Sequence, residues 1–186
     1  MHKNFFYAAL LLLGLTACNN ETKEQKTEAA ASAADIELPV KLSYRGKSEI
    51  GSNENMLVVM NWNRLLSERK LDSAFLLLAD SVTVHMYDGV TLSSTRDSMK
   101  TIMTGFLASM KSISIKYVSA LPINVDLGNN VKHEWVLNWT DEEYTYNDGK
   151  TDHNIIHEDY RLENGKIREV MQYARKVAPP AAPPSK

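Results

Sequence analysis

Between residues 113 and 175 apolar and polar residues alternate in four segments separated by short turn motifs, and no other feature limits the possible folds as strongly. Residues 113–127 end at Gly128-Asn129-Asn130. Residues 131–140 run into an acidic loop that closes on Asp148-Gly149, and residues 151–162 turn at Asn164-Gly165 into residues 166–175. Alternation with period two marks strands that turn one face inward. Asn-Gly and Asp-Gly pairs favour the tightest hairpin links, so the segments predict three consecutive antiparallel hairpins.

Upstream the apolar period changes. Met56, Val59, Met60, Leu65 and Leu66, with Trp62 beside them, predict an amphipathic helix over 52–69, with Ser52 or Asn53 as its N-cap. A shorter helix is predicted over 71–79. It leads into a strand over 80–87, where Val82, Val84 and Met86 alternate with polar neighbours before the Asp88-Gly89 turn. Met99, Ile102, Met103, Phe106, Leu107 and Met110 form one stripe of a third helix, and Ser94 followed by Asp97 resembles a capping box at its start. Helices first and a meandering sheet second is an α+β order, with the helices covering one sheet face.

The ends carry a different signal. Residues 1–17 read as an export signal: Lys3 supplies a positive start, and the apolar run from Phe5 to Leu15 is too short for a bilayer span of roughly 20 residues. Leu15-Thr16-Ala17-Cys18 resembles the lipobox of bacterial lipoproteins and uses the only cysteine of the chain, so Cys18 is the expected lipidation site and a bacterial membrane, the outer membrane first, the expected location. Residues 18–35 then form a polar, alanine-rich tether, residues 36–176 a single domain, and residues 177–186 a Pro/Ala-rich disordered tail. One cysteine excludes an intrachain disulfide and a thiolate zinc site. With Lys3 removed, 20 basic residues face 23 acidic ones, a net charge of −3 without a basic block, which argues against a nucleic-acid partner.

The helix order, together with the stretches Leu78-Leu-Ala-Asp-Ser-Val-Thr-Val-His85 and Tyr160-Arg-Leu-Glu-Asn-Gly-Lys-Ile167 and the pair Gln172-Tyr173, resembles the nuclear transport factor 2-like superfamily, which includes SnoaL-like polyketide cyclases, ketosteroid isomerases and scytalone dehydratases. The resemblance spans about residues 53–174 and implies a cone: three N-terminal helices packed on a curved antiparallel sheet, with a pocket at one end. The fold hosts enzymes and plain binding modules, so it is nearly silent on function. It also implies differences from the isomerases. Met86 stands where they carry a proton-shuttling Asp, and Asn63 where they carry a catalytic Tyr, and a thioether moves no proton.

Alternation assigns the inward faces. On residues 131–139 the more apolar set, Val131, His133, Trp135, Leu137 and Trp139, is expected inside; on the next strand Ile156, Tyr160 and Leu162 bring Asn154 and Glu158 with them. By analogy with the isomerases Arg168, Val170 and Gln172 turn inward on the last strand, although Ile167, Met171 and Tyr173 form an equally apolar alternative. Glu158 is the sharpest candidate for chemistry, as an acid or hydrogen-bond donor of raised pKa, against the plainer reading of a cross-strand ion pair with Arg168. His133 is a second candidate, against the reading of a hydrogen-bonded core histidine. His153 and His157 are about 13 Å apart on a strand and cannot chelate one ion, so no metal site and no cofactor are expected.

Trp62, Asn63, Met86, Trp135, Trp139, Glu158, Tyr160, Arg168 and Gln172 are therefore the expected lining of a pocket for a small apolar ligand, unless the aromatics simply fill the cone. Three readings of function follow. The first is an anchored ligand-binding lipoprotein without catalysis. The second is a SnoaL-like enzyme using Glu158 as acid or base. The third is a homodimeric interaction module formed through an outer sheet patch of Ile155, Met171 and Tyr173.

Overall fold

The computed structural model describes residues 47–128 and 130–178. The expected leader, Cys18, the tether and most of the Pro/Ala-rich tail lie outside the described residues.

Among the described residues seven strands and three helices follow in the order β1 (Lys47–Ile50), α1 (Asn53–Ser67), α2 (Leu71–Phe75), β2 (Leu78–His85), β3 (Thr91–Thr95), α3 (Arg96–Ala108), β4 (Met110–Asp126), β5 (Lys132–Tyr146), β6 (Thr151–Glu163) and β7 (Lys166–Lys176). The strands form one sheet in the order β1-β4-β5-β6-β7-β2-β3. The predicted hairpins β4-β5, β5-β6 and β6-β7 are all present. Asn164 and Gly165 both take positive φ, 52° and 70°, as a two-residue link between Glu163 and Lys166 requires.

The sheet is mixed rather than purely antiparallel, because β2 runs parallel to β7. Helices α1 and α2 precede β2 in the chain, and α3 carries it from the edge strand β3 to β4, so no tight turn dictates the direction in which β2 docks. The acidic stretch expected as a loop is the second half of β5, which pairs with β4 from Thr140 to Tyr146. β1 and β3 are short edge strands that the sequence pattern did not reveal. Register shifts at Tyr117/Ser119 on β4 and at Arg161/Leu162 between β6 and β7 insert residues that bend the strands, and the sheet curls around the helices.

Ser52 caps α1 by accepting from the Glu54 N–H, as expected. The cap of α3 is Thr95, which accepts from the Ser98 N–H, because Ser94 is still paired in β3. A connection invisible in the sequence joins two helix ends. Arg69, in the left-handed region after α1 (φ 57°), donates to the Leu107 carbonyl at 2.8 Å, an orphan acceptor in the last turn of α3, and to the Met110 carbonyl at the start of β4.

The core lies between the helices and one half of the concave sheet face: Val59 and Trp62 of α1, Phe75 of α2, Leu78 and Val82 of β2, Met99 of α3, Val136, Tyr160, Leu162, Ile167 and Val170. Trp62 meets Phe75 edge-on at 5.3 Å between ring centroids. The stripe of α3 is covered only in part: Met99 and Leu107 are buried, whereas Ile102 and Phe106 are 45% and 50% exposed.

Candidate functional site

The burial of β5 inverts the expected phase. Val136, Asn138, Thr140 and Glu142 are the buried set, and His133, Trp135, Leu137 and Trp139 lie on the convex face. His133 and Trp135 face each other across a tilted contact of 6.3 Å, and Trp139 stacks on His157 at 4.4 Å. Neither tryptophan nor His133 lines the cone. The rule that the more apolar set faces inward fails here because the concave face carries a polar cluster, while rings on the convex face bury one another laterally.

On β6 the assignment holds: Asn154, Ile156, Glu158, Tyr160 and Leu162 share the concave face. The β7 assignment holds for Val170 and Gln172, with Met171 and Tyr173 outside. Cross-strand register then gives concave rows. One row is Ala120, Asn138, Glu158 and Gln172; the next is Tyr117, Thr140, Ile156 and Ala174; beyond it come Ile115, Glu142, Asn154 and Lys176.

In the first of these rows Glu158 accepts from the Tyr160 hydroxyl on one oxygen and from Gln172 Nε2 at 3.0 Å on the other. The Tyr160 hydroxyl also lies 3.2 Å from Asn63 Oδ1, which ties α1 to the sheet. Arg168 does not pair with Glu158. It donates to the Ser81 carbonyl at 2.5 Å and sits 3.7 Å from Glu163. Met86 is half-buried in the turn after β2, where its N–H donates to the Val90 carbonyl, and Trp62 belongs to the core. Asn63, Glu158, Tyr160 and Gln172 are thus the expected site residues that the structure brings together.

The most consequential addition is Glu142, placed by the sequence reading in a loop. It is buried, accepting from Thr140 Oγ1 at 2.6 Å and from the Tyr144 hydroxyl. Tyr117 adds a further hydroxyl, donating to the Met60 carbonyl at 2.9 Å. Had the alternation been followed through Thr140, Glu142 and Tyr144 as strand, the polar phase would have been visible.

The electrostatics follow from this crowding. Although Glu158 keeps some accessible surface as a residue, protein encloses its carboxylate, and burial pushes its pKa up to about 7, helped by the negative charge of Glu142. The hydrogen bonds from Tyr160 and Gln172 hold it from rising further. Burial raises Tyr117 to about 12 and Tyr144 further, Tyr144 also through the charge of Glu142. No ion pair among the described residues involves Glu142 or Glu158. Asn138, fully buried and directly opposite Glu158, has no hydrogen-bond partner on either amide atom, and the Asn63 amide nitrogen has none either. Buried amides without partners cost about 1–3 kcal/mol each, so the cluster is not a finished core.

An open groove of about 920 Å³ lies at the end of the same face, walled by Ser109, Tyr146, Asn147, Asp152 and Lys176. It contains none of the expected site residues. Lys176 belongs to the row of Glu142, and Asp152 pairs across from Tyr144, so the groove borders the polar cluster on its outer side. Lys176 and Asp152 neutralise each other at 2.5 Å. Of the histidines, His85 meets Glu169 at 3.1 Å and His153 meets Asp141 at 2.5 Å, and no group of three or more His, Cys, Asp or Glu side chains gathers among the described residues. No helix among the described residues is long and apolar enough to cross a membrane.

Neither a family model nor a curated protein matches the sequence. Solved structures do match in shape. An LEH-like epoxide hydrolase of M. tuberculosis superposes with a TM-score of 0.55 at 11% identity, over 67% of this chain and 84% of its own. A presumed ketosteroid isomerase from Kribbella flavida gives 0.52 at 10% identity, over 72% and 87%. AusH from Aspergillus nidulans gives 0.52 at 12%, over 68% and 87%. At such identities the likeness is one of fold alone, and with the helix and strand order above it gives this chain the α+β, nuclear transport factor 2-like fold.

Proposed function

We propose that this chain is a ligand-binding domain whose site is the polar cluster on the concave sheet face, held outside the cytoplasm at a membrane by a lipidated Cys18. The observation that carries the binding reading is Asn138. A fully buried amide with two unpartnered atoms, beside a carboxylate without a cation, is costly to keep in a core and useful in a pocket. With Trp135 and Trp139 on the convex face, the ligand is one that offers hydrogen bonds, rather than the apolar molecule that those rings would have held. Native mass spectrometry of protein purified from its host tests this: a retained small molecule, absent from an Asn138→Val variant, is expected, and bare protein in both speaks against it. The lipobox-like Leu15-Thr16-Ala17-Cys18 supports the anchor. A Cys18→Ala protein should leave the membrane fraction, and continued sedimentation with membranes would sink the anchor.

A second reading is favoured by a specific observation, the lift of Glu158 to about 7. At neutral pH such a carboxyl is present in both forms and transfers protons efficiently. The structural neighbours include a hydrolase and a presumed isomerase, so acid–base turnover at Glu158 is the enzymatic alternative. The convex face, with Trp135, Leu137, Trp139, Ile155, Met171 and the 55%-exposed Tyr173, supports self-association as a third role. Sedimentation velocity that stays monomeric across a concentration series would remove it.

A further inference from the structure

The hydrogen bonds that join α1 to the concave face form a chain with a direction. Gln172 Nε2 donates to Glu158 Oε1 at 3.0 Å, the Tyr160 hydroxyl meets Glu158 Oε2, and the same hydroxyl lies 3.2 Å from Asn63 Oδ1. A phenol has one proton, and this one stands between two oxygens that both accept. It stays on the phenol, because burial and the charge of Glu158 hold the Tyr160 pKa well above the ordinary 10. With Asn63 Oδ1 turned to the hydroxyl, both contacts are hydrogen bonds only if Glu158 carries a proton on Oε2 and donates it to the Tyr160 oxygen, while Tyr160 donates to Asn63. The spare group of Asn63 is then Nδ2, and that atom is buried without a partner. When the carboxyl proton is lost to solvent, Glu158 can only accept, and the Tyr160 proton turns to it. Asn63 Oδ1 is left facing an oxygen with no proton between them. A half-turn of the amide, nearly neutral in shape, brings Nδ2 to the Tyr160 oxygen and makes Oδ1 the spare group.

We propose that Asn63, Tyr160 and Glu158 form a proton-operated relay that reverses direction when Glu158 gains or loses its proton, so that the spare group of Asn63 is an N–H donor in one state and a carbonyl acceptor in the other. The surrounding groups leave Glu158 as the member that switches. Glu142 of β5 brings a like charge, and Gln172 of β7 is neutral. Tyr117 of β4 and Tyr144 of β5 keep their protons, since burial raises both, and the Tyr117 proton is used on the Met60 carbonyl. Arg64, next to Asn63 on α1, is paired with Glu68 at 3.0 Å. Burial and the charge of Glu142 bring the switching range of Glu158 to about 7. The relay itself needs no ligand. Its consequence for recognition rests on the reading of the concave face as a ligand site: α1 offers that site a donor at lower pH and an acceptor at higher pH.

The test follows the Asn63 side-chain amide of the full chain in detergent by proton–nitrogen NMR between pH 5 and pH 8, beside the 13C signal of the Glu158 carboxyl. Asn63 is assigned by the loss of its signals in Asn63→Ala. As pH rises, one of the two Nδ2 protons should move downfield into a hydrogen bond, with the same midpoint as Glu158. In Tyr160→Phe, shown folded by circular dichroism, Glu158 should still titrate while the Asn63 amide no longer responds. In Glu158→Gln, whose amide stands in for the protonated carboxyl, Asn63 should keep its wild-type low-pH position throughout. Asn63 signals that stay fixed in the wild type while Glu158 titrates would overturn the proposal, as would a Glu158 carboxyl that keeps one form across the range. Asn63 signals that still follow Glu158 in Tyr160→Phe would overturn it too, because the charge would then act through space. Should Tyr160→Phe lose its fold, a pH response of Asn63 that persists in Glu158→Gln does the same. No ligand is added, so a failed relay leaves the ligand site standing, and an empty native mass spectrum removes the ligand site without touching the relay.

Discussion

Replacing Asn138 with valine should make the protein more stable. Asn138 is fully buried on β5, Ala120 on one side of it is small, and neither amide atom has a partner. A buried polar group left unsatisfied costs about 1–3 kcal/mol, and valine is close in size, suits a strand and gains apolar transfer energy. Imperfect repacking around a β-branched side chain takes back part of that, since shape changes in a core cost up to about 1.5 kcal/mol. The net expectation is a gain of about 1–3 kcal/mol in unfolding free energy, read from urea denaturation followed by circular dichroism with m-values compared. The same variant should lose the ligand retained in the native mass spectrum, the trade expected where a site is kept at the expense of the core. A loss of 1 kcal/mol or more would refute the reasoning, because it would mean that Asn138 is satisfied in solution and belongs to the core.

Glu158 makes stability depend on pH in a defined direction. Its folded pKa of about 7 lies above the ordinary 4.5, so its contribution is complete below about pH 4.5 and is lost as pH rises through 7. The lift corresponds to about 3 kcal/mol at most. Glu158→Gln should flatten the wild-type decline between pH 5 and pH 8, since the Tyr160 hydroxyl can turn to Asn63 Oδ1 and accept from the new amide; parallel curves would count against it, and the histidines are common to both proteins. Leu78→Ala, at a position 1% exposed, should cost about 2–5 kcal/mol, whereas Ile102→Ala, on the uncovered part of the α3 stripe, should stay within about 0.5 kcal/mol. Thermal melts of the two variants compare them directly. Ser52→Ala, which removes the α1 cap, should cost about 1 kcal/mol by urea denaturation.

What could be read from the sequence divides along physical lines. Turn chemistry is local, so Asn164-Gly165 and Asp148-Gly149 placed their hairpins correctly, and the period-3.6 stripes located α1 and α3. The Ser94 cap missed by one residue because β3 extends to Thr95, a pairing set by tertiary contact. On β6 burial and polarity agree, and Glu158 with Tyr160 came out on the right face. On β5 they disagree: the aromatic phase is convex and the phase with Asn138, Thr140 and Glu142 is concave. A rule built on apolar residues facing inward will invert a strand wherever the protein invests polar groups in its interior. The same bias turned Asp141, Glu142 and Glu143 into a loop. The Glu158–Arg168 pair failed for a related reason: Arg168 lies at the register shift between β6 and β7 and reaches the Ser81 carbonyl on β2 instead.

The most direct measurement is a 13C titration of the Glu158 side-chain carboxyl, assigned by comparison with Glu158→Gln. A carboxylate that is buried, close to the charge of Glu142 and without a cation should titrate near pH 7. A midpoint at or below the ordinary 4.5 would mean that solvent, hydrogen-bond donors or a positive group compensate Glu158 in full, and the uncompensated concave site would not exist.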